Sequence, residues 1–461
     1  MNSEAQAHKQ ALRVIISEII MVITVIIMVI VLALIVSGYW FNANFEVERQ
    51  GMLQINSIPT GANIEVDGDS PWYQRTNTSK ILSADDHTII LTKDGYDTWT
   101  KTIHINEGLL YRIQYPRLFL QDRYKEKVYD VPSTTFATVS PNGKILLLAN
   151  NTTSWSLVDL DSDTIKSSTI DISNYFSNIA STEKNYPGLF TGTIVSASWD
   201  NDNEHILFKV TQNNKNEWVL IDIKNPTRSI NLSREFAIDF TQINIMNHSA
   251  SNLLAIQDGN LRKIDTNSRQ MSAIIASVVE SFDYYDSEIA YIANGDVNII
   301  KHLGNNPVTI TQITSPAKVL FSKFYDNRYL ITTESNNISV YEENSNEPFF
   351  TASISFTPST IKVGPSSDFI FMNHENLFAT LDMESMQIKE WSIDTESYEW
   401  LDGYMVYTVN EGALTVYDYD GLNARTIATN VSSHYPVAIT NNKWLYYFSD
   451  NSLVREWLIA K

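Results

Sequence analysis

The 461-residue chain is 43% hydrophobic and 11% aromatic, enough to bury a sizeable core and to argue against wholesale disorder. Its 33 Lys and Arg against 53 Asp and Glu leave a formal charge of −20, which repels phosphate backbones and argues against a nucleic-acid partner. There is no cysteine, which excludes disulfides, thiol catalysis, cysteine-ligated zinc and iron–sulfur chemistry together.

From Val14 to Val36 the sequence is apolar apart from Ser17, Glu18 and Thr24. A helix over this stretch is about 34 Å long, enough to span a hydrocarbon core of about 30 Å. Its β-branched residues disfavour a helix in water, but in lipid every backbone group must be satisfied within the segment. The expectation is a single-pass transmembrane helix over 14–37, with Glu18 close enough to its first end for the carboxylate to reach the interface. The rival is a cleaved signal peptide. Its apolar region is about 7–15 residues, shorter than this one. No Ala-x-Ala site follows, only Val36-Ser37-Gly38.

Lys9 and Arg13 precede the apolar segment, whereas Glu46 and Glu48 outnumber Arg49 after it. Positive flanks stay inside, so residues 1–13 are expected to be a short cytoplasmic tail and the C-terminal bulk to be extracellular. Tyr39, Trp40 and Phe41 fit an aromatic belt at the outer interface, at the start of a linker over 38–50.

Residues 51–118 alternate as strands do, in stretches beginning at Gly51, Ala62, His87 and Trp99. Turn signals separate them: Pro59-Thr60-Gly61, Asp67-Gly68, Asp94-Gly95 and Glu107-Gly108. This segment resembles the PEGA domain, whose Pro-Glu-Gly-Ala signature stands here as Pro59-Thr60-Gly61-Ala62. Gly51-x-Leu-x-Ile before it, Ile64-x-Val66-Asp67-Gly68 after it and Gly95-Tyr96 extend the likeness over nearly the whole segment. Thr60 replaces the Glu, and Ser70-Pro71-Trp72-Tyr73 replaces the usual Gly-x-Thr-Pro. The resemblance implies a small β-sandwich, a non-catalytic surface module of bacterial and archaeal envelope proteins. Trp72 and Tyr73 are its candidate ligand contacts. The plainer alternative is that they pack over the open end of the sandwich.

Residues 122–461 form a repeat array. Strongly apolar second strands begin at Ile145, Ile206, Leu253, Ile289, Tyr329, Phe369, Tyr404 and Trp444. The first interval is 61 residues and the rest are 35 to 47, the period of a β-propeller. Third strands keep step at Trp155, Trp218, Leu261, Val297, Ile338, Leu377, Leu414 and Leu453, and several end in an acid. The long first interval reflects an insertion over 171–192. A spare strand within 122–131 precedes the first copy and is expected to complete the last blade, removing an exposed sheet edge. Eight blades are expected, or seven if one copy belongs to the insertion. Ser140-Pro141-Asn142-Gly143-Lys144 is similar to the Ser-Pro-Asp-Gly-Lys turn of TolB-like and WD40-like propellers, a likeness of architecture only. The chain as a whole therefore reads as mainly β.

Motifs for chemistry are mostly missing. There is no Gly-x-Ser-x-Gly elbow, no His-x-x-x-His, no phosphate-cradling glycine loop and no dinucleotide fingerprint. Asp159-x-Asp161-x-Asp163 and Asp200-x-Asp202-x-Glu204 look like calcium loops, but the first lacks the Gly and Glu that an EF-hand needs. Turn acids at strand ends explain both runs more economically. The expectation is therefore no catalytic residue, no metal site and no cofactor. The chain reads as a membrane-anchored binding or scaffolding protein of the cell surface, its propeller facing an envelope protein or polysaccharide. The alternatives are an extracytoplasmic propeller enzyme acting on glycans, with His, Arg, Tyr and acids converging in the channel, and a ligand-sensing subunit of a membrane complex.

Overall fold

The computed structural model describes residues 2–36, 39–41, 47–69, 74–131, 133–176, 190–212, 215–246, 249–301, 305–393 and 398–459. The chain divides into two compact units, Met1–Gln121 and Asp122–Lys461.

The first unit begins with a helix, Asn2–Val36. Its segment Ile16–Leu34 has a mean hydropathy of 2.9, and none of it is buried by the protein. A helix that is apolar on every side and covered by nothing is long and apolar enough to cross a membrane and unlike the core helix of a soluble domain. Thr24 donates its hydroxyl to the Ile20 carbonyl at 2.8 Å, so its one polar group needs no water.

Two sheets follow. Tyr39–Phe41, Val47–Ile55 and Thr78–Ser83 are antiparallel, and Leu110–Ile113 joins Val47–Ile55 in parallel. The other sheet holds Asn63–Val66, Asp86–Thr92 and Trp99–His104. Alternation decides what is buried: in Trp99–His104, residues Trp99, Lys101 and Ile103 point inward and the intervening ones outward. Leu53, Ile55, Ile64, Ile89, Leu91 and Ile113 complete this core. Lys101 is tolerated there because its ammonium sits 4.7 Å from the Tyr115 ring centre. All the strand-like stretches named from the sequence are strands. Thr78–Ser83 and Leu110–Ile113 are additional, and each buries a single residue, which leaves little periodicity to read.

The second unit contains eight four-stranded sheets among the described residues, spanning 134–171, 193–231, 242–271, 279–312, 317–353, 360–392, 399–428 and 438–457 with 125–130. In the first seven the strands follow chain order. The eighth takes three strands from the end of the chain and one, Lys125–Asp130, from the start of the unit, with Ser452 opposite Asp130. Second-to-third-strand hairpins turn at Asp258-Gly259, Asn294-Gly295, Glu411-Gly412 and Asp450-Asn451, and both residues of each have positive φ. That geometry matches the right-handed twist of the strands and selects Gly and Asn, the residues that mark every repeat.

The recurring acid at the end of the third strand also has a local cause. Asp159 accepts from Asp161 N at 2.9 Å, Asp265 from Ser268 N at 2.8 Å and Asp382 from Glu384 N at 2.9 Å. Each carboxylate fixes the turn into the fourth strand.

Apolar clusters lie between sheets rather than within them. Leu147 and Trp155 of the first sheet pack with Ile206 and Phe208 of the second. Similar clusters join the second to the third, third to fourth, fourth to fifth, fifth to sixth and sixth to seventh sheets. Val437 N of the eighth donates to the Tyr407 hydroxyl of the seventh at 3.0 Å. Leu146 and Leu160 of the first sheet share a core with Trp444, Tyr446 and Leu453 of the eighth. The unit is therefore propeller-like, with its last sheet packed on its first. The insertion expected over 171–192 falls largely on residues outside the described ones. Phe176 and Phe190 on either side of it pack against Trp155, at 5.5 and 5.7 Å between ring centres.

Candidate functional site

The first strand of each sheet has only one strand partner, so one backbone edge carries no strand pairing. A cavity of about 860 Å³ touches first strands, or the turns that follow them, in the first, second, sixth, seventh and eighth sheets. One space reaching five sheets means that these strands face a common interior. Its volume falls within the range of ligand pockets, about 300–1,000 Å³.

Sequence decides how each wall is built. In Thr193–Trp199 the pairing register shifts between Ile194 and Ser196, and the extra residue, Val195, is turned out exposed against the cavity. Tyr398 and Trp400 line another wall. Tyr398 stands edge-on to Phe378 at 4.6 Å and Trp400 edge-on to Phe371 at 5.4 Å, so both are rooted in the apolar cluster between the sixth and seventh sheets. Gly364 makes room for this wall, since a Cβ there would lie 3.3 Å from the Trp400 ring. Tyr407 and Tyr435 also line the space, but their hydroxyls are engaged, Tyr407 with Val437 N and Tyr435 with the Thr134 carbonyl at 2.8 Å.

Among the described residues, the ionisable side chains at the cavity are Lys362, Glu399, Asp402 and His434. Asp402 Oδ1 accepts from the backbone of Tyr404 and Met405 at 2.8 and 2.9 Å. His434 Nδ1 lies 3.2 Å from Ser433 Oγ. Glu399 and Lys362 differ from these. Confinement between the sheets pushes the Glu399 carboxyl up, and the nearby Lys362 ammonium opposes that rise. Neither makes a hydrogen bond or ion pair among the described residues. Burial also pushes the Tyr398 phenol up to about 12, with Glu399 adding to the effect.

The sequence candidates fall elsewhere. Trp72 and Tyr73 lie outside the described residues. The acids of 159–163 serve turns and partners: Asp161 accepts from Lys144 Nζ at 2.7 Å, and Asp163 lies 3.8 Å from Lys443 Nζ. Asp200 accepts from Glu204 N, His205 N and His205 Nδ1, which binds its own turn rather than an ion. Among the described residues, no group of His, Asp and Glu is arranged to hold a metal. For the glycan-enzyme alternative, the cavity supplies His434, tyrosines and acids, and among the described residues a lysine but no arginine lines it.

One constellation was not read from the sequence. Ser83 Oγ lies 3.3 Å from His87 Nε2, and His87 Nδ1 lies 2.6 Å from Asp67 Oδ2, the outline of a catalytic triad. The Ser83 carbonyl, which only accepts, is 2.9 Å from the same Nε2. Both ring nitrogens are therefore donors, leaving no lone pair to deprotonate Ser83. Burial opposes the charged imidazole, but the bonds to Asp67 and the Ser83 carbonyl prevail and hold it above its ordinary range. The group ties the Asp67-Gly68 turn to the neighbouring strand.

Comparison with known proteins agrees with the first unit's reading. The model of a family described as the PEGA domain matches residues 50–117. No curated protein matches the chain. Similar solved structures include the C-terminal WD40 domain of Sif2, at 9% identity and a TM-score of 0.49, covering 74% of this chain and 99% of that one. The Myceliophteria thermophila Cps50 (Swd1) beta-propeller domain is similar at 10% identity and 0.40, covering 73% and 100%. The computationally designed Ika8 protein is similar at 10% identity and 0.42, covering 72% and 100%.

Proposed function

We propose that the chain is a single-pass protein of the bacterial cell envelope, with its N-terminus cytoplasmic and its bulk extracellular. The exported part is a PEGA module and an eight-bladed β-propeller that binds an envelope protein or polysaccharide and acts as a scaffold. The exposed apolar segment Ile16–Leu34 supports the anchor, and the flanking charges support its direction. Residues 1–38 hold two acids and two bases, so the whole charge of −20 falls on the proposed extracellular part and keeps that surface soluble. Trp72 and Tyr73 are the proposed ligand contacts of the small module.

The observation that carries the binding role is the cavity shared by inner strands of five sheets, a concave surface displayed by a rigid scaffold. The test incubates the full chain, held in detergent micelles, with solubilised envelope fractions. Retention of a glycan or protein above that of an equally acidic control supports the reading. Retention at background level removes it.

A further inference from the structure

We infer that the cavity shared by the five sheets is a binding site for short peptides with free termini, held through Lys362 and Glu399. This narrows the binding role above and rests on it. Lys362 lies on the first strand of the sixth sheet and Glu399 on that of the seventh, and both face the cavity. They sense each other electrostatically without forming a hydrogen bond or ion pair among the described residues. An ammonium and a carboxylate left apart in a confined space suit a ligand carrying both opposite charges. A peptide small enough to lie wholly inside brings its own ammonium and carboxylate with it, and both need counter-charges. A neutral sugar brings no counter-charge to either group.

Two further features fit a peptide. The strand Thr134–Val139 lines the cavity and has one strand partner, so its free edge can take up the main chain of an extended ligand. Phe136 to Val139 follow the wall for about 13 Å at 3.3 Å per residue, the length of a tetrapeptide. Opposite charges at neighbouring strands then fix which way the peptide runs, while Tyr398 and Trp400 offer apolar faces to its side chains.

The test incubates the immobilised full chain in detergent with an equimolar pool of random tetrapeptides with free termini, and in parallel with the same pool acetylated and amidated. Retained peptides are quantified by mass spectrometry. The wild type is expected to retain the free pool about tenfold better than the blocked pool. Glu399→Gln and Lys362→Gln should each lose most of this preference for the free pool. Both side chains open onto the cavity and make no hydrogen bond or ion pair among the described residues that Gln would lose, so thermal melting of the variants should match the wild type and separates lost binding from lost fold. Equal retention of the two pools, or normally melting variants that bind like the wild type, overturns the assignment. A wild type that still retains envelope material but captures no peptide overturns the peptide site alone and leaves the scaffold reading standing.

Discussion

Arg123 and Glu456 form an ion pair across 333 residues of sequence, Nε to Oε2 at 3.1 Å, with side chains 15% and 7% exposed. Tyr447 donates to the other carboxylate oxygen at 2.7 Å, and Arg123 also donates to the Ile427 carbonyl of the seventh sheet. The pair fastens the chain just where Lys125–Asp130 enters the last sheet. Arg455 repeats the device, donating to Glu126 at 2.9 Å and to the Asp163 carbonyl of the first sheet at 3.0 Å. With no cysteine available, such pairs and the apolar core around Trp444 hold the two ends together.

Removing one partner of this pair strands a buried charge. Arg123→Ala is expected to lower the free energy of unfolding by about 3–5 kcal/mol. Arg123→Met combined with Glu456→Met should cost less than the two single changes added. Denaturant melts of the four proteins give the coupling energy, and a coupling near zero would show that the pair is not a latch.

Asp283 lies on the first strand of the fourth sheet and accepts from Phe321 N at 2.6 Å. Burial pushes its carboxyl up to about 6, against the backbone N–H groups that hold it down. Between about pH 4 and 6 the native state keeps a proton that the unfolded state has lost. Stability from this group is therefore full in acid and falls through that window, by about 3 kcal/mol at neutral pH. Asp283→Asn should lack the slope and melt higher than the wild type at pH 8. An unchanged pH profile of melting would contradict this.

The His87–Asp67 pair has a different signature. Its hydrogen bond with His87 is the main cause that holds the Asp67 carboxyl below its ordinary value, so that contribution is lost as pH falls through the lowered value. The imidazole is raised, so its contribution is complete below about 6.5 and is lost as pH rises through the folded value. The module should be most stable between these limits. Replacing Asp67 by Ala leaves burial to dominate, and NMR titration should then place His87 below 6.5 instead of above it. A titration that does not move would show that Asp67 is not the partner that matters.

Gly143 has φ of +69°, and a Cβ there would lie 2.6 Å from the Ile439 carbonyl of the eighth sheet. Thr440 Oγ1 also donates to the Gly143 carbonyl at 2.6 Å. Gly143→Ala should cost more than the 1–2 kcal/mol of a left-handed residue, about 2–4 kcal/mol, because the seam between the first and eighth sheets must open. Faster hydrogen exchange confined to residues 140–145 and 438–444 is the expected trace. Exchange unchanged there would show that the seam is not tight.

The second and third strands were legible because they are central in each sheet and bury both faces. Ile145–Asn150 and Phe369–His374 read as unbroken apolar runs for that reason. The first strands were harder to read. Thr193–Trp199 has no fully buried residue, since one side meets the cavity and the other a neighbouring sheet. The candidate site lies on those strands, and Lys362, Tyr398 and His434 come from separate repeats, so no local motif links them. Only the packing of sheet on sheet brings them to one space. Asp67, Ser83 and His87 were missed for a similar reason, because a hairpin and a cross-strand neighbour unite them.

The membrane-anchored, outward-facing arrangement has one direct test. Intact cells making the chain with a C-terminal tag are treated with a protease that cannot enter them, and membranes are probed for the tag and for residues 1–13. If the bulk of the chain faces outward, the tag is lost while the N-terminal tail stays with the membrane. Full protection of the tag, with the same protease cutting it after the cells are opened, would contradict it.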